Sequence, residues 1–420
     1  MRPSSALLNS ATNAVGLACT LEHPCDAVLR SFFREHHEIG SHDRAFVAET
    51  VYSVLRHKRL LESVVPDVTP RRLVIASLIK LQGMSIGSLE SVLDDRDREW
   101  VVQLKQADVE KLPVAARLSQ PDWIWERLVA QYGETEAIAI GRSLLTSAPL
   151  DLRVNTLLVS RDEVLTELSA RGFDAQATAY SPVGVRLAGK PAINRDPLYL
   201  RGAIEVQDEG SQLLGYLVAP KRREMVVDFC AGAGGKTLLM GALMHSQGRL
   251  YAFDVSEKRL NGLKPRLKRS GLSNVHPQAI GGENDTKIKR LAGKIDRVLV
   301  DAPCSGLGTL RRNPDMKWRQ TPAWIPELVG KQRAILSASA QLLKPGGRLV
   351  YATCSLLREE NEDIVEEFIS RHPDFSVVDC QQALDAHNIP LKSGPYLHVF
   401  PHKQGCDGFF GAVLQRVSPG

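Results

Sequence analysis

The sequence predicts an α/β protein, with a doubly wound, mostly parallel sheet in its carboxyl-terminal half and an all-α domain before it. Three observations predict this fold class. Strand-like and helical segments alternate after residue 220, apolar residues recur at helical spacing from about residue 24 to 132, and a short strand–helix stretch separates these regions. A chain of 420 residues also exceeds the size at which one core usually keeps growing, so several domains are expected.

The first region has the period of amphipathic helices. Apolar residues recur at three- and four-residue spacing in AVLRSFFREH, RAFVAETVYSVLRHKRLLESVV and RRLVIASLIKLQ. We predict an all-α domain over residues 21–135, preceded by a flexible tail over residues 1–20. The amino-terminal residues lack the apolar core of a signal peptide, and no apolar run approaches the roughly 20 residues of a membrane span. We therefore expect a cytosolic protein without membrane contact.

The middle region changes character at residue 148. It begins with a short predicted strand, and a helix follows with Ser160 as its N-cap and Glu163 three residues later, which together form a capping box. Gly172 ends that helix. We predict a small α/β subdomain over residues 136–205, and the helical pattern VQDEGSQLLGYLVAP opens the last domain, residues 206–420.

The last domain contains six predicted strands, and chemically useful side chains stand where they end. In parallel sheets, ligands bind beyond the carboxyl ends of the strands, so these side chains are expected to converge. They are Asp228, Cys230, Asp254, Asp301, Cys304 and Cys354. The strands are predicted at 224–230, 249–254, 274–280, 297–303, 348–354 and 408–416.

The stretch DFCAGAGGKT is a glycine-rich turn between a predicted strand and a helix. Its ending resembles a nucleotide phosphate loop, but Cys230 stands where the first glycine of that loop would be. Asp254 ends the next strand, where an acid commonly binds the ribose of an adenosine-type cofactor. Two cofactor classes fit: ATP, with Asp301 as the acid of a magnesium-binding strand, or a methyl donor. The missing glycine favours the methyl donor.

The cysteines indicate free thiols. The seven of them are an odd number without a C-x-x-C pair, which argues against a disulfide framework and a structural zinc site, and we expect no metal. A single strand-end cysteine is often a packed small residue. Cys304 and Cys354 close two strands expected to be neighbours, so a shared pocket is the better interpretation.

Several longer motifs resemble a known family, the S-adenosylmethionine-dependent RNA cytosine-C5 methyltransferases of the Sun/Fmu type, in particular members that act on small-subunit (16S) ribosomal RNA. The resemblance implies a Rossmann-like class I methyltransferase domain that uses S-adenosyl-L-methionine. It also implies a NusB-like RNA-binding domain around GSHDRAFVAETVYSVLR, a looser match. The motifs are QDEGSQLL, DFCAGAGGKT, DVSEKRL, RVLVDAPCSGLGTLRRNPD, LKPGGRLVYATCSLLREENE and DGFFGAVLQR.

The resemblance also implies catalytic roles. Cys354 in TCS would be the nucleophile that adds to carbon 6 of cytosine, because carbon 5 alone is a poor nucleophile. Cys304 in PCSG would assist release of the enzyme after carbon 5 loses its proton. Asp301 would bind the cytosine edge and stabilise the protonated ring. The substrate would be single-stranded or locally opened ribosomal RNA, since carbon 6 cannot be reached in a stacked helix.

The implied cofactor site contains the glycine turn and nearby acids. In the family another acid lies near the adenine, nineteen residues before the DAPC aspartate, but that position is Gly282 here. Glu283 is our first choice for this contact and Asp285 our second. The predicted cofactor residues are Cys230, Ala231, Gly232, Ala233, Gly234, Gly235, Lys236, Asp254, Glu283, Asp285 and Asp301.

A basic segment, residues 311–319, follows directly after the loop that contains Cys304. Arginine can pair with phosphates and an aromatic ring can stack on a splayed base, so this segment is a candidate RNA contact. Trp318 fits a second role equally well, that of fixing the segment to the protein core. The candidates are Arg311, Arg312, Lys317, Trp318 and Arg319.

Two other functions remain as rivals at this level: an ATPase built on the glycine turn, and a non-catalytic RNA-binding assembly factor that keeps the cofactor fold. The first would need magnesium and nucleotide, and the second would tolerate loss of Cys354. We infer no obligate protein partner.

Overall fold

The computed structural model describes residues 3–418, which form two compact units. The helical unit comprises Met1–Ser147 and Thr309–Pro322. The sheet unit comprises Ala148–Gly308 and Ala323–Gly420. The chain therefore leaves the sheet unit after Gly308 and returns to it at Ala323, a grouping that the sequence did not suggest. The predicted domain boundaries at residues 135 and 205 stay predictions.

The helical unit is built from short helices around one apolar core that includes Leu8, Val51, Leu55 and Ile75. The fifth helix has a typical amino-terminal cap: the Thr69 side chain accepts from the amide of Arg72, and Pro70 is the helix's first residue. The helices are α1 Ser5–Cys19, α2 Cys25–Glu35, α3 Ser41–Arg56, α4 Lys58–Val64, α5 Pro70–Lys80, α6 Ile86–Leu89, α7 Asp95–Gln106, α8 Val114–Arg117, α9 Asp122–Tyr132, α10 Glu134–Leu144 and α17 Met316–Arg319.

The predicted flexible tail is wrong, because α1 occupies most of it. Ser4 caps this helix by accepting from the amide of Leu7, and one face of the helix, including Leu8, Ala11 and Val15, is buried in the helical core. Three of the six buried residues of α1 are alanines, which give a weak hydrophobic signal in sequence. Small side chains nevertheless let α1 pack closely against α3 and α5.

The sheet unit contains a small antiparallel sheet with strand order β2-β3-β1-β4. Helix α11 follows β1 and begins as predicted: the Glu163 amide donates to the Ser160 hydroxyl at 3.3 Å, and the Ser160 amide donates to the Glu163 carboxylate at 2.8 Å. The strands are β1 Leu150–Val154, β2 Ala175–Ala177, β3 Gly184–Leu187 and β4 Ile204–Val206, and the helices are α11 Arg161–Ala170 and α12 Pro197–Leu200.

The larger sheet confirms the predicted fold class. Its order is β10-β12-β9-β8-β5-β6-β7, with β11 paired to β12, and the strands from β9 to β7 run parallel. The strands are β5 Met225–Asp228, β6 Arg249–Asp254, β7 Val275–Ala279, β8 Ile295–Asp301, β9 Leu343–Thr353, β10 Phe375–Val378, β11 Tyr396–Val399 and β12 Phe409–Arg416. The helices are α13 Glu209–Val218, α14 Gly235–Leu243, α15 Glu257–Ser270, α16 Thr286–Lys289, α18 Trp324–Ala340, α19 Glu362–Arg371, α20 Cys380–Asp385 and α21 Pro401–Gln404.

The central strands of this sheet are buried on both faces, as expected for parallel strands covered by helices. Val298, Leu299 and Val300 are completely buried, and alternate residues of β8 contribute to two different apolar clusters. Within residues 3–418, each helix is too short or too polar to cross a bilayer.

Candidate active site

The carboxyl ends of three parallel strands bring the predicted acids to one edge of the sheet. Strand β5 ends at Asp228, β6 at Asp254 and β8 at Asp301. Strand β5 pairs with both of the others, and Asp301 lies beside Ala352 of β9, two residues before Cys354. The convergence expected from the strand ends is therefore present.

The two predicted catalytic thiols are neighbours. The Sγ atoms of Cys304 and Cys354 lie 3.4 Å apart, and both side chains are partly exposed. The Gly308 amide donates to the Cys354 carbonyl at 2.8 Å, which ties the two loops together. The hydrogen bond with Cys354 and burial raise the pKa of the Cys304 thiol well above its usual value. Cys304 is therefore suited to hold a proton rather than to act as a free thiolate.

Beside the thiols, Lys236 and Asp301 form an ion pair of 2.8 Å between Nζ and Oδ2. Burial alone would lower the pKa of Lys236, but the Asp301 carboxylate, with a smaller effect of Cys354, raises it. Lys236 is therefore a buried cation. The Asp301 side chain is 31% exposed, so its carboxylate is accessible to a molecule that enters the site.

The glycine turn is fixed to the adjacent strand ends. The Gly232 amide donates to Asp254 Oδ2 at 2.8 Å, and the Ala231 amide donates to the Phe253 carbonyl at 2.8 Å. Gly234 has a φ of +82°, and a Cβ there would lie 2.2 Å from the Leu263 side chain, so only glycine fits. A Cβ on Gly232 would meet no atom within 4 Å, which leaves open space against the turn.

Asp228 has an unused acceptor at the centre of this edge. Thr237 Oγ1 donates to Asp228 Oδ2 at 2.6 Å, while the buried Oδ1 has no hydrogen-bond partner. Burial raises the pKa of Asp228 to about 7, and the nearby Asp301 carboxylate adds to the shift. A buried acceptor without a donor is costly, so this oxygen indicates a place where a ligand donor fits.

The two candidates for the adenine contact differ in their surroundings. Asp285 accepts from the Gly281 and Lys287 amides, both at 2.8 Å, and these bonds lower the pKa of its carboxyl. It therefore holds its own loop and caps α16. Glu283 accepts at 3.4 Å from the neighbouring Asn284 and leaves its carboxylate less occupied. Contact of either residue with the adenine stays a prediction.

The basic segment 311–319 lies in the helical unit, where two of its side chains cap the carboxyl end of α3. Trp318 Nε1 donates to the Leu55 carbonyl at 2.7 Å, and Lys317 Nζ donates to the Arg56 carbonyl at 3.0 Å. These are carbonyls of the last turn of α3, which have no partner within the helix. Of the other candidates, Arg311 is buried, and Arg312 and Arg319 are half-buried. Contact of this segment with RNA stays a prediction.

Lys317 is expected to give the helical unit a pH-dependent stability. Burial, with a contribution from Arg56, lowers the pKa of Lys317 from 10.5 to about 7. Between these values the unfolded chain binds more protons than the folded one, so stability rises with pH. Relative to Lys317→Met, the wild-type free energy of unfolding should increase by on the order of 2 kcal/mol from pH 7 to 9.

Urea unfolding followed by tryptophan fluorescence measures this difference, because four of the five tryptophans, all except Trp324, belong to the helical unit. The variant also loses the hydrogen bond to the Arg56 carbonyl, a cost that does not depend on pH. The pH dependence is therefore the relevant quantity, and parallel curves for the two proteins would contradict the prediction.

Sequence reasoning missed the polar residues that hold the cysteine loops. Ser305 and Ser355 follow the two cysteines directly, and both are buried beside the buried Glu360. The sequence offered a weak signal for this polar cluster. Cys304 and Cys354 are each followed by serine, and the acidic stretch LLREENE follows TCS. Within residues 3–418, no group of three His, Cys, Asp or Glu side chains is arranged to hold a metal ion.

Comparisons with known proteins identify the family to which the chain is related. A family described as 16S rRNA methyltransferase RsmB/F matches residues 215–415, and one described as Methyltr_RsmF/B-like, ferredoxin-like domain, matches residues 120–194. A Synechocystis sp. protein named probable ribosomal RNA small subunit methyltransferase B is 33% identical, over 91% of this chain and 93% of its own length.

Solved structures show a similar architecture. The crystal structure of PH0851 has a TM-score of 0.81 and 26% identity, and covers 99% of this chain and 100% of that protein. NSun6 from Pyrococcus horikoshii, solved with SFG, has a TM-score of 0.63 and 22% identity, with 71% and 99% coverage. The second likeness is one of fold.

Proposed function

Since the chain belongs to the RsmB/F family of S-adenosylmethionine-dependent small-subunit rRNA methyltransferases, we propose that it forms 5-methylcytosine through a covalent bond between Cys354 and carbon 6 of the base. The observation that carries the proposal is the 3.4 Å separation of the Cys304 and Cys354 sulfurs beside Asp301. One thiol alone provides a nucleophile, whereas two adjacent thiols provide a nucleophile and a proton-handling group.

The residues at the strand ends fit the family's cofactor. The open space at Gly232, the unpaired Asp228 Oδ1 and the Asp254 carboxylate offer a turn, an acceptor for an ammonium or hydroxyl donor, and an acid for ribose. S-adenosyl-L-methionine supplies an electrophilic methyl group when bound. We propose that the turn Cys230–Lys236 holds its methionine end and Asp254 its ribose, with Glu283 preferred over Asp285 near the adenine.

We propose different roles for the two thiols in the reaction with the base. Addition of the Cys354 thiolate to carbon 6 breaks the ring's double bond and places electron density on carbon 5, which then becomes nucleophilic. After methylation, carbon 5 still holds its hydrogen and must lose it as a proton. Loss of that proton drives the electrons back into the ring and expels Cys354. Cys304, whose raised pKa keeps its thiol protonated, lies 3.4 Å from the Cys354 sulfur and can donate a proton to it as it departs, whereas the proton from carbon 5 passes to solvent water.

Asp301 and Lys236 orient the base during these steps. A carboxylate near the polar edge of cytosine accepts a hydrogen bond from it and stabilises the protonated ring that follows thiol addition. The Lys236 ammonium, 2.8 Å from Asp301, fixes the position of that carboxylate. A base must leave its stack to reach this site, so the proposed substrate is single-stranded or locally opened RNA.

Bisulfite sequencing tests the proposed function in cells. Small-subunit rRNA from cells with this gene should retain one or more unconverted cytosines that convert in cells without it. Restoring the wild-type gene should restore the protected position, and restoring a Cys354→Ala gene should not. Identical conversion patterns in all these cells would overturn the proposal and favour the non-catalytic assembly role.

Asp254→Ala should weaken cofactor binding about 10- to 100-fold, because a charged acceptor for ribose and the support of the Gly232 amide are both lost. RNA binding should change little. Titration calorimetry with S-adenosyl-L-methionine and with an rRNA fragment measures the two affinities. Asp296→Ala, at the opposite end of the sheet, controls for loss of a carboxylate. A larger loss of RNA affinity than of cofactor affinity would remove Asp254 from the cofactor site.

A further inference from the structure

A buried carboxylate joins the two cysteine loops. Glu360 lies in a 3₁₀ turn, Arg358–Glu360, that follows the Cys354 loop, and it is completely buried. Its Oε1 accepts from the Ser305 amide at 2.8 Å and from Gln332 Nε2 at 3.0 Å. Its Oε2 accepts from the Ser305 hydroxyl at 2.5 Å and also from the Ser355 hydroxyl. One side chain therefore contacts both loops.

The contacted serines are next to the thiols in sequence. Ser305 follows Cys304 and Ser355 follows Cys354, and the two hydroxyl oxygens lie 3.1 Å apart, close to the 3.4 Å separation of the sulfurs. The carboxylate thus fixes each loop at the residue beside its thiol. A backbone displacement of either serine away from Glu360 would also move the adjacent cysteine.

The surroundings hold the Glu360 turn itself in place. Tyr351 Oη donates to the Glu360 carbonyl at 2.7 Å, and Tyr351 lies completely buried in β9. Gln332 of α18 donates to Glu360 and also to the Pro303 carbonyl at 2.9 Å, immediately before Cys304. The backbone of the Glu360 turn is therefore anchored to the sheet, and its carboxylate is anchored to α18 in addition to the two loops.

We propose that Glu360 is a positioning residue, which acts through Ser305 and Ser355 to hold the Cys304 and Cys354 loops at the separation that the two thiols require. Its catalytic consequence rests on the proposed function above, but the positioning itself does not. A neutral side chain of the same shape would disturb the arrangement, because a Gln amide offers one acceptor oxygen and one donor nitrogen to a set of groups that donate to Glu360.

The charge of Glu360 has a second effect in the same geometry. The hydrogen bond with Cys354 and burial are the main causes of the raised pKa of the Cys304 thiol, and the Glu360 carboxylate adds to this rise. The four donors to Glu360 are neutral amides and hydroxyls, which do not cancel its negative charge. Removing the charge should therefore move the ionisation of Cys304 to lower pH.

The test compares Glu360→Gln with Glu209→Gln as a matched control. Glu209 is also completely buried, and accepts from the Tyr180 and Ser181 amides at 2.6 and 2.8 Å, on a loop without cysteine. Both variants lose one buried carboxylate in the sheet unit. The readouts are the pH profile of Cys304 alkylation by iodoacetamide, located by mass spectrometry, and the rate of Cys304–Cys354 disulfide formation with oxidised glutathione.

We expect Glu360→Gln to shift the Cys304 alkylation profile to lower pH and, once rates are corrected for the thiolate fraction that this profile gives, to slow disulfide formation several-fold, whereas Glu209→Gln leaves both unchanged. In methyl transfer, kcat should fall about 100-fold without a matching change in KM for the cofactor, since misplaced reacting groups affect the chemical step most. If Glu360→Gln changes only the melting temperature, as Glu209→Gln does, the proposal is overturned.

A second variant keeps the test decisive if Glu360→Gln does not fold. Ser355→Ala removes one hydroxyl donor and leaves the carboxylate in place, so it should slow disulfide formation with a smaller effect on the alkylation profile. Wild-type disulfide kinetics in Ser355→Ala would contradict the proposal. The alkylation and disulfide measurements need neither RNA nor cofactor, so they test the positioning role separately from the proposed function. If the wild-type protein makes no 5-methylcytosine, the proposed function is refuted. The positioning role still stands in that case if Glu360→Gln or Ser355→Ala changes the reactivity of the two thiols as expected.

Discussion

Cys354→Ala is expected to reduce methyl transfer by a factor on the order of 10⁴ or more, because the proposed nucleophile that forms the bond to carbon 6 is lost. The substitution removes one partly exposed sulfur, and the ion pair between Lys236 and Asp301 involves other atoms. Cofactor binding and folding should therefore stay close to wild type. Transfer of radiolabelled methyl groups to an rRNA fragment measures the activity, and calorimetry measures cofactor binding.

Cys380→Ala is the matched control for this prediction. Cys380 belongs to the same unit and is completely buried, where its thiol donates to the Gly411 carbonyl at 3.6 Å. Its replacement should lower stability and leave methyl transfer nearly unchanged. Substantial activity in Cys354→Ala, together with normal cofactor binding, would show that Cys354 is not the nucleophile.

Cys304→Ala is expected to accumulate a covalent protein–RNA adduct, which Cys354→Ala cannot form. Cys354 can still add to the base, but the step that releases it is slowed because the neighbouring thiol is missing. The adduct should appear as a slowly migrating band on a denaturing gel, in amounts approaching that of the enzyme, when RNA and S-adenosyl-L-methionine are both present. Wild-type protein should show little of this band.

The double variant Cys304→Ala/Cys354→Ala provides the control, because it lacks the sulfur that would form the bond. It should give no band. A strong band from Cys354→Ala, and none from Cys304→Ala, would mean that the two cysteines have exchanged roles. Cys304 would then be the nucleophile although its pKa is raised, and a nucleophile must be a thiolate. The two findings would agree only if RNA binding changed the surroundings of the thiols.

The architecture of the sheet unit was largely predictable from sequence. Six predicted strands correspond to β5–β9 and β12, because most of them contain buried apolar runs with helices between them. Strands β10 and β11 were missed. Both are four-residue strands that pair antiparallel with β12 at one end of the sheet, and segments this short carry little periodic signal.

The route of the chain between the two units was not predictable. Segment 309–322 follows the Cys304 loop closely in sequence, yet Asp315 Oδ2 accepts from the Cys25 amide, and Trp318 and Lys317 cap α3. The basic composition of the segment suggested RNA, whereas the observed bonds use its donors for helix ends. Composition alone does not distinguish these roles, since both use the same N–H groups.

Strand ends also explain how much of the candidate site was predictable. Cys304, Cys354, Asp254 and Asp301 follow strands of a parallel sheet, so topology alone brings them to one edge. Glu360 could not be found in this way. It follows the Cys354 loop in a short turn, and only the three-dimensional path of that turn places its carboxylate against Ser305, 55 residues earlier.

The position of the bond between protein and RNA tests the central claim most directly. The adduct from Cys304→Ala can be digested with protease and nuclease, and the peptide that carries the nucleotide identified by mass spectrometry. We predict a cytidine-derived mass, increased by one methyl group, on the sulfur of Cys354. Attachment to any other residue, or the absence of a linked nucleotide from an enzyme that still forms 5-methylcytosine, would contradict the mechanism.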